Sequence, residues 1–340
     1  MSKTMVETYE VTLEPSGNQI QVREGQTILD ALIRNGIQIP YGCRHGSCSA
    51  CKARVLEGNY EIMGRVSEYS LLSFERDDGM ILLCSTLAES DLVVEIEEEE
   101  EEGLTFYPVV DFEAIVEKNE QVTPDIHIID LELTEPTTVP YGAGQFFEFQ
   151  VQGESELRSY SAATRYIDNK KIQLHVKRIP NGIGSNYMCD LKVGATVKAS
   201  GPYGKMQLRD RDKDLVFVAG GSGMAPIKAL LEEVFSASFD HEAWFFYGAR
   251  TEQDLYLVED WLELERKYPN FHFIPALSNL SDDSNWSGER GFIADVIKKK
   301  MESCSGMDAY LCGPPIMCET VTDALYGKGL RGNHIYLDEF

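Results

Sequence analysis

Three of the eight cysteines in this 340-residue chain fall in one short loop, Cys43-Arg44-His45-Gly46-Ser47-Cys48-Ser49-Ala50-Cys51, and Cys84 follows in Leu82-Leu83-Cys84-Ser85. The spacing C-x4-C-x2-C with a distant fourth cysteine is the one at which four thiolates wrap a [2Fe–2S] cluster. The chemistry would be one-electron transfer at a potential of about −400 mV, a typical value for such a loop. The loop must turn tightly enough to aim its N–H groups at the sulfurs, and Gly42, Gly46, Ser47, Ser49 and Ala50 are small enough to permit that. Zinc or an ordinary thiol cluster is the alternative, but zinc favours paired C-x2-C units and only one such pair occurs. Cys43, Cys48, Cys51 and Cys84 are therefore the expected metal ligands. Cys189, Cys304, Cys312 and Cys318 are scattered, unlike a secreted disulfide framework.

A second group of residues suits a flavin dinucleotide. Such a molecule needs a cation at its pyrophosphate, an aromatic face beside the isoalloxazine and a hydroxyl donor near N5. Arg158-Ser159-Tyr160-Ser161 offers all three on one strand, and alternation puts Arg158 and Tyr160 on the same face. Alone, the tetrapeptide is a weak signal, and a surface arginine beside a core tyrosine is the commoner reading. The next strand is Leu174-His175-Val176-Lys177. Then Gly182-Ile183-Gly184-Ser185 precedes a short helix, Asn186 to Cys189, whose free N–H groups can receive a phosphate.

A third group suits a pyridine nucleotide. Val216 to Ala219 runs into Gly220-Gly221-Ser222-Gly223-Met224-Ala225-Pro226 and then a helix. This is not the G-x-G-x-x-G fingerprint. The strand, glycine turn and helix N-terminus nevertheless present the same backbone donors to a pyrophosphate. Leu311-Cys312-Gly313-Pro314-Pro315-Ile316-Met317 forms a second strand-to-helix turn. A cysteine ending a strand is commonly just a small buried hydrophobe. NADPH would require cations for its 2′-phosphate, and Arg250 is followed by Thr251, Glu252, Gln253 and Asp254, with Ser278 and Asn279 near the next strand end. NADH is favoured over NADPH.

These groups need three scaffolds. Residues 1–97 contain strand-like stretches (Thr8 to Leu13, Ile20 to Arg23, Asp91 to Glu97) and a helix, Ile28 to Asn35, capped by Thr27 and closed by Gly36. Residues 98–105 lie mostly in a run of six glutamates, Glu97 to Glu102, which repels itself and reads as a solvated linker. Residues 106–208 carry short alternating runs (Phe112 to Val116, Ile126 to Leu133, Phe146 to Val151, Ile172 to Val176, Ala195 to Ala199). Pro136, Gly142, Gly153, Gly182 and Gly201 read as the turns between them, as in an antiparallel barrel. In residues 209–340 apolar runs (Leu215 to Ala219, Trp244 to Tyr247, Phe271 to Pro275, Ala309 to Cys312) alternate with helix-length stretches (Ile227 to Phe235, Leu257 to Lys267), the signature of a buried parallel sheet.

Composition agrees with this multidomain reading: 43% hydrophobic, 10% aromatic and 26% charged residues belong to a globular chain. No apolar run approaches the roughly 18 residues that span a bilayer, and Met1 to Glu10 lacks a signal-peptide layout. A cytoplasmic protein without a membrane partner is expected. The net charge of −25 disfavours nucleic acid and suits a protein partner with a basic face, although acidity also serves solubility.

The first hundred residues resemble a plant-type ferredoxin domain of β-grasp, α+β fold. The Arg158 to Ser161 and Gly182 to Ser185 motifs resemble the FAD-binding barrel of the ferredoxin–NADP reductase superfamily, with Ala143-Gly144-Gln145 where Pro-Gly-Gln is usual. The Cys312-Gly313-Pro314-Pro315 turn resembles the same superfamily's α/β nucleotide-binding domain. That resemblance implies FAD held by Arg158, Ser159, Tyr160, Ser161, His175, Val176, Lys177, Gly182, Gly184 and Ser185. It implies NADH held by Gly220, Gly221, Ser222, Gly223, Pro226, Arg250, Cys312, Gly313, Pro314 and Met317. Ser161, Cys312 and Phe340 would act at the reacting rings, the last as a terminal aromatic that covers the flavin; a frayed tail is the alternative. The domain order resembles the reductase components of bacterial multicomponent oxygenases. Glu57 to Glu61, Leu82 to Ser85 and the terminal Tyr336-Leu337-Asp338-Glu339-Phe340 look nearest to soluble methane monooxygenase reductase and its alkane or alkene relatives. The implied route runs from NADH to FAD, to the cluster, and on to the hydroxylase component of a diiron monooxygenase. A Rieske dioxygenase reductase is the second reading, and a redox-sensing subunit with little turnover is a reading of another class.

Overall fold

The computed structural model describes residues 7–64, 66–97, 103–151, 157–167, 170–281 and 284–339. Most of the glutamate run, Gly153 and Phe340 lie outside the described residues. By backbone contacts the chain divides into two units, residues 7–97 with 106–109 and residues 103–105 with 110–339.

In the first unit the strands are β1 (Thr8–Glu14), β2 (Asn18–Arg23), β3 (Lys52–Glu57), β4 (Tyr60–Ile62), β5 (Met80–Leu82), β6 (Thr86–Ala88) and β7 (Leu92–Glu95). Five of them form a mixed sheet in the order β2-β1-β7-β3-β5, while β4 and β6 pair separately. Helix α1 (Ile28–Arg34) buries Ile28, Leu29, Ala31, Leu32 and Ile33. The Thr27 hydroxyl accepts the Asp30 N–H at 3.2 Å, so the expected cap is present. Gly36 follows the helix at φ +72°, where a side chain would be strained. Alternation along β1 and β2 points Val11, Leu13, Ile20 and Val22 inward. A short helix, α2 (Ser73–Asp77), precedes β5.

The second unit opens with β8 (Val110–Gln121), β9 (Ile126–Glu135), β10 (Phe146–Gln150), β11 (Leu157–Ser161), β12 (Lys171–Lys177), α3 (Ile183–Asp190) and β13 (Thr196–Tyr203). The sheet runs β11-β10-β13-β8-β9-β12. A lone antiparallel bridge, Ala162 to Leu174, joins its two ends and curls it into a barrel. Phe112, Val116, Leu131, Phe147, Phe149, Leu174 and Val176 fill the interior. Two sequence expectations change here. Gly201 is no turn: it sits inside β13 opposite Val110, where a Cβ would strike the Phe147 ring at 2.5 Å. The short helix begins at Ile183, so Gly184 and Ser185 belong to its first turn.

The remainder contains β14 (Leu215–Gly220), α4 (Met224–Val234), β15 (Ala243–Ala249), α5 (Val258–Lys267), β16 (Phe271–Leu277), β17 (Glu289–Arg290), α6 (Ile293–Lys300), β18 (Asp308–Gly313), α7 (Pro315–Gly327) and β19 (Ile335–Glu339). All pairings are parallel, in the order β17-β16-β15-β14-β18-β19. Continuous apolar strands are explained by helices on both faces. Phe217, Phe245 and Tyr310 pack towards α4 and α5, whereas Val216, Val218 and Leu311 pack towards α6 and α7. Strand β19 pairs with β18 along its length, from Ile335 to Glu339. No helix among the described residues is long and apolar enough to cross a membrane.

Candidate cluster, flavin and nucleotide sites

The cysteine loop is shaped by two left-handed residues, Arg44 at φ +57° and Gly46 at φ +80°. Its backbone turns onto the sulfurs as the chemistry requires. Cys43 Sγ accepts the N–H groups of Ser47 and Cys48, each at 3.3 Å, and Cys48 Sγ accepts the Cys43 N–H at 3.5 Å. A Cβ on Gly46 would lie 2.9 Å from Ser85 Oγ, so glycine is needed where the loop passes the Cys84 segment. The Leu83 N–H donates to the Cys51 carbonyl at 3.0 Å and holds the buried Cys84 beside the buried Cys51. Burial raises the Cys43 thiol, but hydrogen bonds from Ser47, His45 and Cys48 outweigh it and bring it down to about 6. The contact with Cys51 does the same for Cys84, to about 6, and pushes Cys51 up. All eight cysteines are free thiols. Among the described residues no group of three His, Cys, Asp or Glu side chains closes around a single ion. A two-iron cluster spreads its sulfur ligands more widely, and the four thiols with their aimed N–H groups fit it.

At the flavin motif, β11 lies against β10 in antiparallel register, Phe149 opposite Arg158 and Phe147 opposite Tyr160. The stem of Arg158 runs over Gly184, where a Cβ would stand 2.5 Å from Arg158 Cγ. The arginine thus reaches the first turn of α3, the end that favours anions. Tyr160 packs edge-on to Phe149 with ring centroids 5.9 Å apart. Ser159 is exposed and 3.5 Å from Glu148 Oε1. Ser161 is 5% exposed, and its Oγ has no hydrogen-bond partner among the described residues. A buried hydroxyl in that state calls for an acceptor or donor from a bound molecule, and the polar rim of a flavin ring is one. The residues fit FAD.

Other members of the expected flavin set have local duties. Val176 is a core residue of the barrel and Lys177 stands 3.5 Å from Asp125 Oδ2. The Ser185 hydroxyl accepts the Ile179 N–H at 3.0 Å and contacts the Gly182 carbonyl at 3.5 Å, closing the turn before α3. Gly182 is the residue before the first helical position. His175 is buried, and burial holds its imidazole well below the usual range, so the ring is neutral. The turn before β10 is stiffened by Gln145, whose Oε1 accepts the Gly142 N–H at 2.8 Å and whose Nε2 donates to the Gly204 carbonyl at 2.9 Å.

The nucleotide turns meet at the C-terminal ends of β14 and β18. On one side of β14 the sheet continues to β15, and on the other it jumps to β18, which makes this crevice the switch point of the sheet, where such folds bind ligands. Gly221 has φ +58° and begins a 3₁₀ turn over Gly221–Gly223, with Ser222 half-buried. A Cβ on Gly223 would overlap the Cys312 carbonyl and lie 2.7 Å from the Gly313 nitrogen. One on Gly220 would lie 2.6 Å from Met317 Sδ, and one on Gly313 would lie 3.0 Å from the Gly220 carbonyl. Pro226 occupies the first turn of α4, where a missing N–H costs nothing. Pro314 precedes α7 and is exposed. Interlocked glycine backbones over two helix N-termini form a cradle for a pyrophosphate, and they fit a pyridine nucleotide.

Cys312 is fully buried in the core beside α4, and burial pushes its thiol well up, so it is a neutral apolar group. Arg250 is 69% exposed at the end of β15, 3.8 Å from Asp254. Phe340, the expected ring cover, lies outside the described residues. Two further groups stand outside the expected site set. Asp338, opposite Cys312 in β19, has its carboxyl pushed up to about 7 by burial, and one oxygen lacks a partner among the described residues. Tyr256 donates towards both His175 and the Gly221 carbonyl. No local pattern marks either one.

Comparison with known proteins finds three domains of the corresponding kinds. The sequence matches the family model for the 2Fe-2S iron-sulfur cluster binding domain over residues 11–89, the oxidoreductase FAD-binding domain over 113–208 and the oxidoreductase NAD-binding domain over 217–323. It is 35% identical to the reductase component of phenol 2-monooxygenase from Pseudomonas sp. (strain CF600), covering 98% of this chain and 94% of that one. It is 33% identical to the reductase component of propane 2-monooxygenase from Rhodococcus jostii (strain RHA1), covering 99% and 92%. Among solved structures it is similar to Amycolatopsis cytochrome P450 reductase GcoB, with TM-score 0.83, 29% identity and coverage of 98% and 99%. It is also similar to the ferredoxin reductase in carbazole 1,9a-dioxygenase, with TM-score 0.75, 26% identity and 98% of each chain. A cluster loop, a flavin barrel and a nucleotide sheet in that order, matched end to end by such relatives, mean that the chain belongs to the iron–sulfur flavoprotein reductase components of multicomponent oxygenases, within the ferredoxin–NADP reductase superfamily.

Proposed function

We propose that this reductase takes its electrons from NADH and delivers them to the hydroxylase component of a diiron monooxygenase in the cytoplasm. Bound in their sites, the flavin would accept an electron pair as hydride and the cluster would carry electrons one at a time. The chain's own residues position and insulate. Arg158 and the N-terminus of α3 neutralise a pyrophosphate, Ser161 offers a hydroxyl to the ring edge, and the Gly220 to Gly223 turn receives the nucleotide. Cys312, a neutral small group, keeps water from the turn between β18 and α7. We assign residues 1–97 to the cluster, 106–208 to the flavin and 209–340 to the nucleotide, with 98–105 as the connection.

The observation that carries this reading is the buried, unpartnered Ser161 hydroxyl in the same chain as the interlocked Gly220, Gly223 and Gly313 turns. NADH is preferred because the cation at the edge of β15, Arg250, stands among Glu252 and Asp254, which repel a 2′-phosphate. A monooxygenase partner is favoured by the phenol and propane monooxygenase relatives, and its diiron type by the resemblance of the sequence to soluble methane monooxygenase reductase. A Rieske partner is the second reading, favoured by the structural likeness to the carbazole dioxygenase reductase.

The test is anaerobic reduction of the purified holoprotein by NADH and by NADPH at equal concentration, with cytochrome c as acceptor. Faster reduction by NADH is expected. Equal or faster NADPH reduction would reverse the nucleotide choice. Product formation with a diiron hydroxylase, set against a Rieske oxygenase, decides the partner.

A further inference from the structure

Tyr256 lies just beyond the β15 end, on the nucleotide side of the second unit, yet its hydroxyl stands 3.0 Å from His175 Nδ1 on the flavin-side strand β12. The same hydroxyl reaches the carbonyl of Gly221, in the nucleotide turn, at 3.2 Å. Both side chains are nearly inaccessible, with Tyr256 5% and His175 4% exposed. The proton arrangement follows from the neighbours. Gln173 Nε2 donates to Asp130 at 2.8 Å, which turns Gln173 Oε1 towards His175 Nε2 at 3.3 Å. That nitrogen therefore carries the proton, and Nδ1 is left as an acceptor. The single Tyr256 proton thus serves two acceptors, one on each cradle.

We propose that Tyr256 is a positioning residue that ties the nucleotide turn to the flavin-side strand and so sets the approach of the two rings. The inference rests on the assignment of the Gly220 to Gly223 turn to the nucleotide. The tie is placed where misalignment matters most, because a shift of about 1 Å between reacting atoms can cost about a hundredfold in rate. A second, independent tie crosses nearby: Lys228 of α4 donates to the Ala163 carbonyl, two residues beyond Ser161, at 2.9 Å. With two such ties the Tyr256 hydroxyl refines an interface rather than creating it.

The experiment uses the holoprotein with Tyr256→Phe, which removes one oxygen and keeps the ring. The rate of flavin reduction at saturating NADH should fall about tenfold, while the affinity for NAD⁺ stays within about twofold. Hydrogen exchange of the peptide spanning 216–226 should quicken, a readout that needs no turnover. His175→Phe should slow reduction too, and the double variant should lose no more than Tyr256→Phe alone. Unchanged reduction and exchange in Tyr256→Phe, or additive losses in the double variant, would overturn the proposal. So would loss of bound flavin in Tyr256→Phe, which would make the residue part of the fold rather than a positioning group. Gly223→Ala separates the underlying assignment: if NADH still binds and reduces that variant normally, the nucleotide turn has been misassigned, whatever Tyr256→Phe does.

Discussion

Gly223 and Cys312 touch through their backbones: any Cβ at position 223 would overlap the Cys312 carbonyl. The two turns that close over the crevice between β14 and β18 are therefore a single object, built from strands paired Ala219 to Cys312. Glycine is required there by lack of space, since Gly223 itself has ordinary helical torsions. Gly223→Ala should force the turns apart, lower stability by about 1–3 kcal/mol and abolish reduction by NADH. Reduction by dithionite should persist. The comparison of the two reductants by absorbance checks it.

Ser161→Ala should behave in the opposite sense. The Ser161 hydroxyl has no partner among the described residues, so its removal should leave the thermal stability of flavin-free protein unchanged or raise it. Reduction of the bound flavin should slow by about tenfold, the worth of one hydrogen bond made only in the loaded site. A melt of the flavin-free protein beside stopped-flow reduction of the holoprotein tests both halves. Equal loss in the two would mean the serine is structural.

Cys84→Ser should remove the cluster without removing flavin chemistry. Cys84 is 6% exposed and sits against Cys51, so a serine there leaves a buried hydroxyl and one ligand fewer. Cytochrome c reduction should drop to background while a two-electron dye is still reduced. Cytochrome reduction at the parent rate in protein lacking iron would contradict the electron route.

Asp338 makes stability depend on pH. Its carboxyl is pushed up to about 7 in the folded chain by burial, against about 3.9 when unfolded. Between those values the folded state holds a proton that the unfolded chain has released, so stability falls as pH rises through that window and levels off above it. Asp338→Asn should flatten the slope. The variant should be more stable than the parent at pH 8, by about 2 kcal/mol after allowing for its partial exposure, with about a third of that difference left at pH 5. Denaturant melts at the two pH values measure the difference.

Much of the fold and of the three sites is legible in the amino-acid sequence. The four candidate cluster cysteines are announced by spacing because a loop of nine residues would have to satisfy a cluster almost alone. The parallel sheet is announced by uninterrupted apolar runs because helices cover both of its faces. The glycine turns at 220–223 and 313 mark strand-to-helix passages for the same local reason. Gly201 misleads because a glycine inside a strand and one in a turn look alike until the opposing Phe147 is known. The local duty of Ser185 is not legible either, because the bond its hydroxyl accepts from the Ile179 N–H is set by the turn's own geometry.

The sequence by itself determined which groups are available: thiols at cluster spacing, an arginine–tyrosine–serine strand, and glycines at two strand ends. Those signals are local, carried by periodicity and turn chemistry over a few residues. Only the tertiary structure decided which of them meet. Tyr256 and His175 are 81 residues apart and no pattern links them; they touch because the barrel closes through the Ala162 to Leu174 bridge and the sheet reverses its order at β14. The orphaned Ser161 hydroxyl and the raised Asp338 carboxyl have the same origin, since burial belongs to the packed fold and not to either residue.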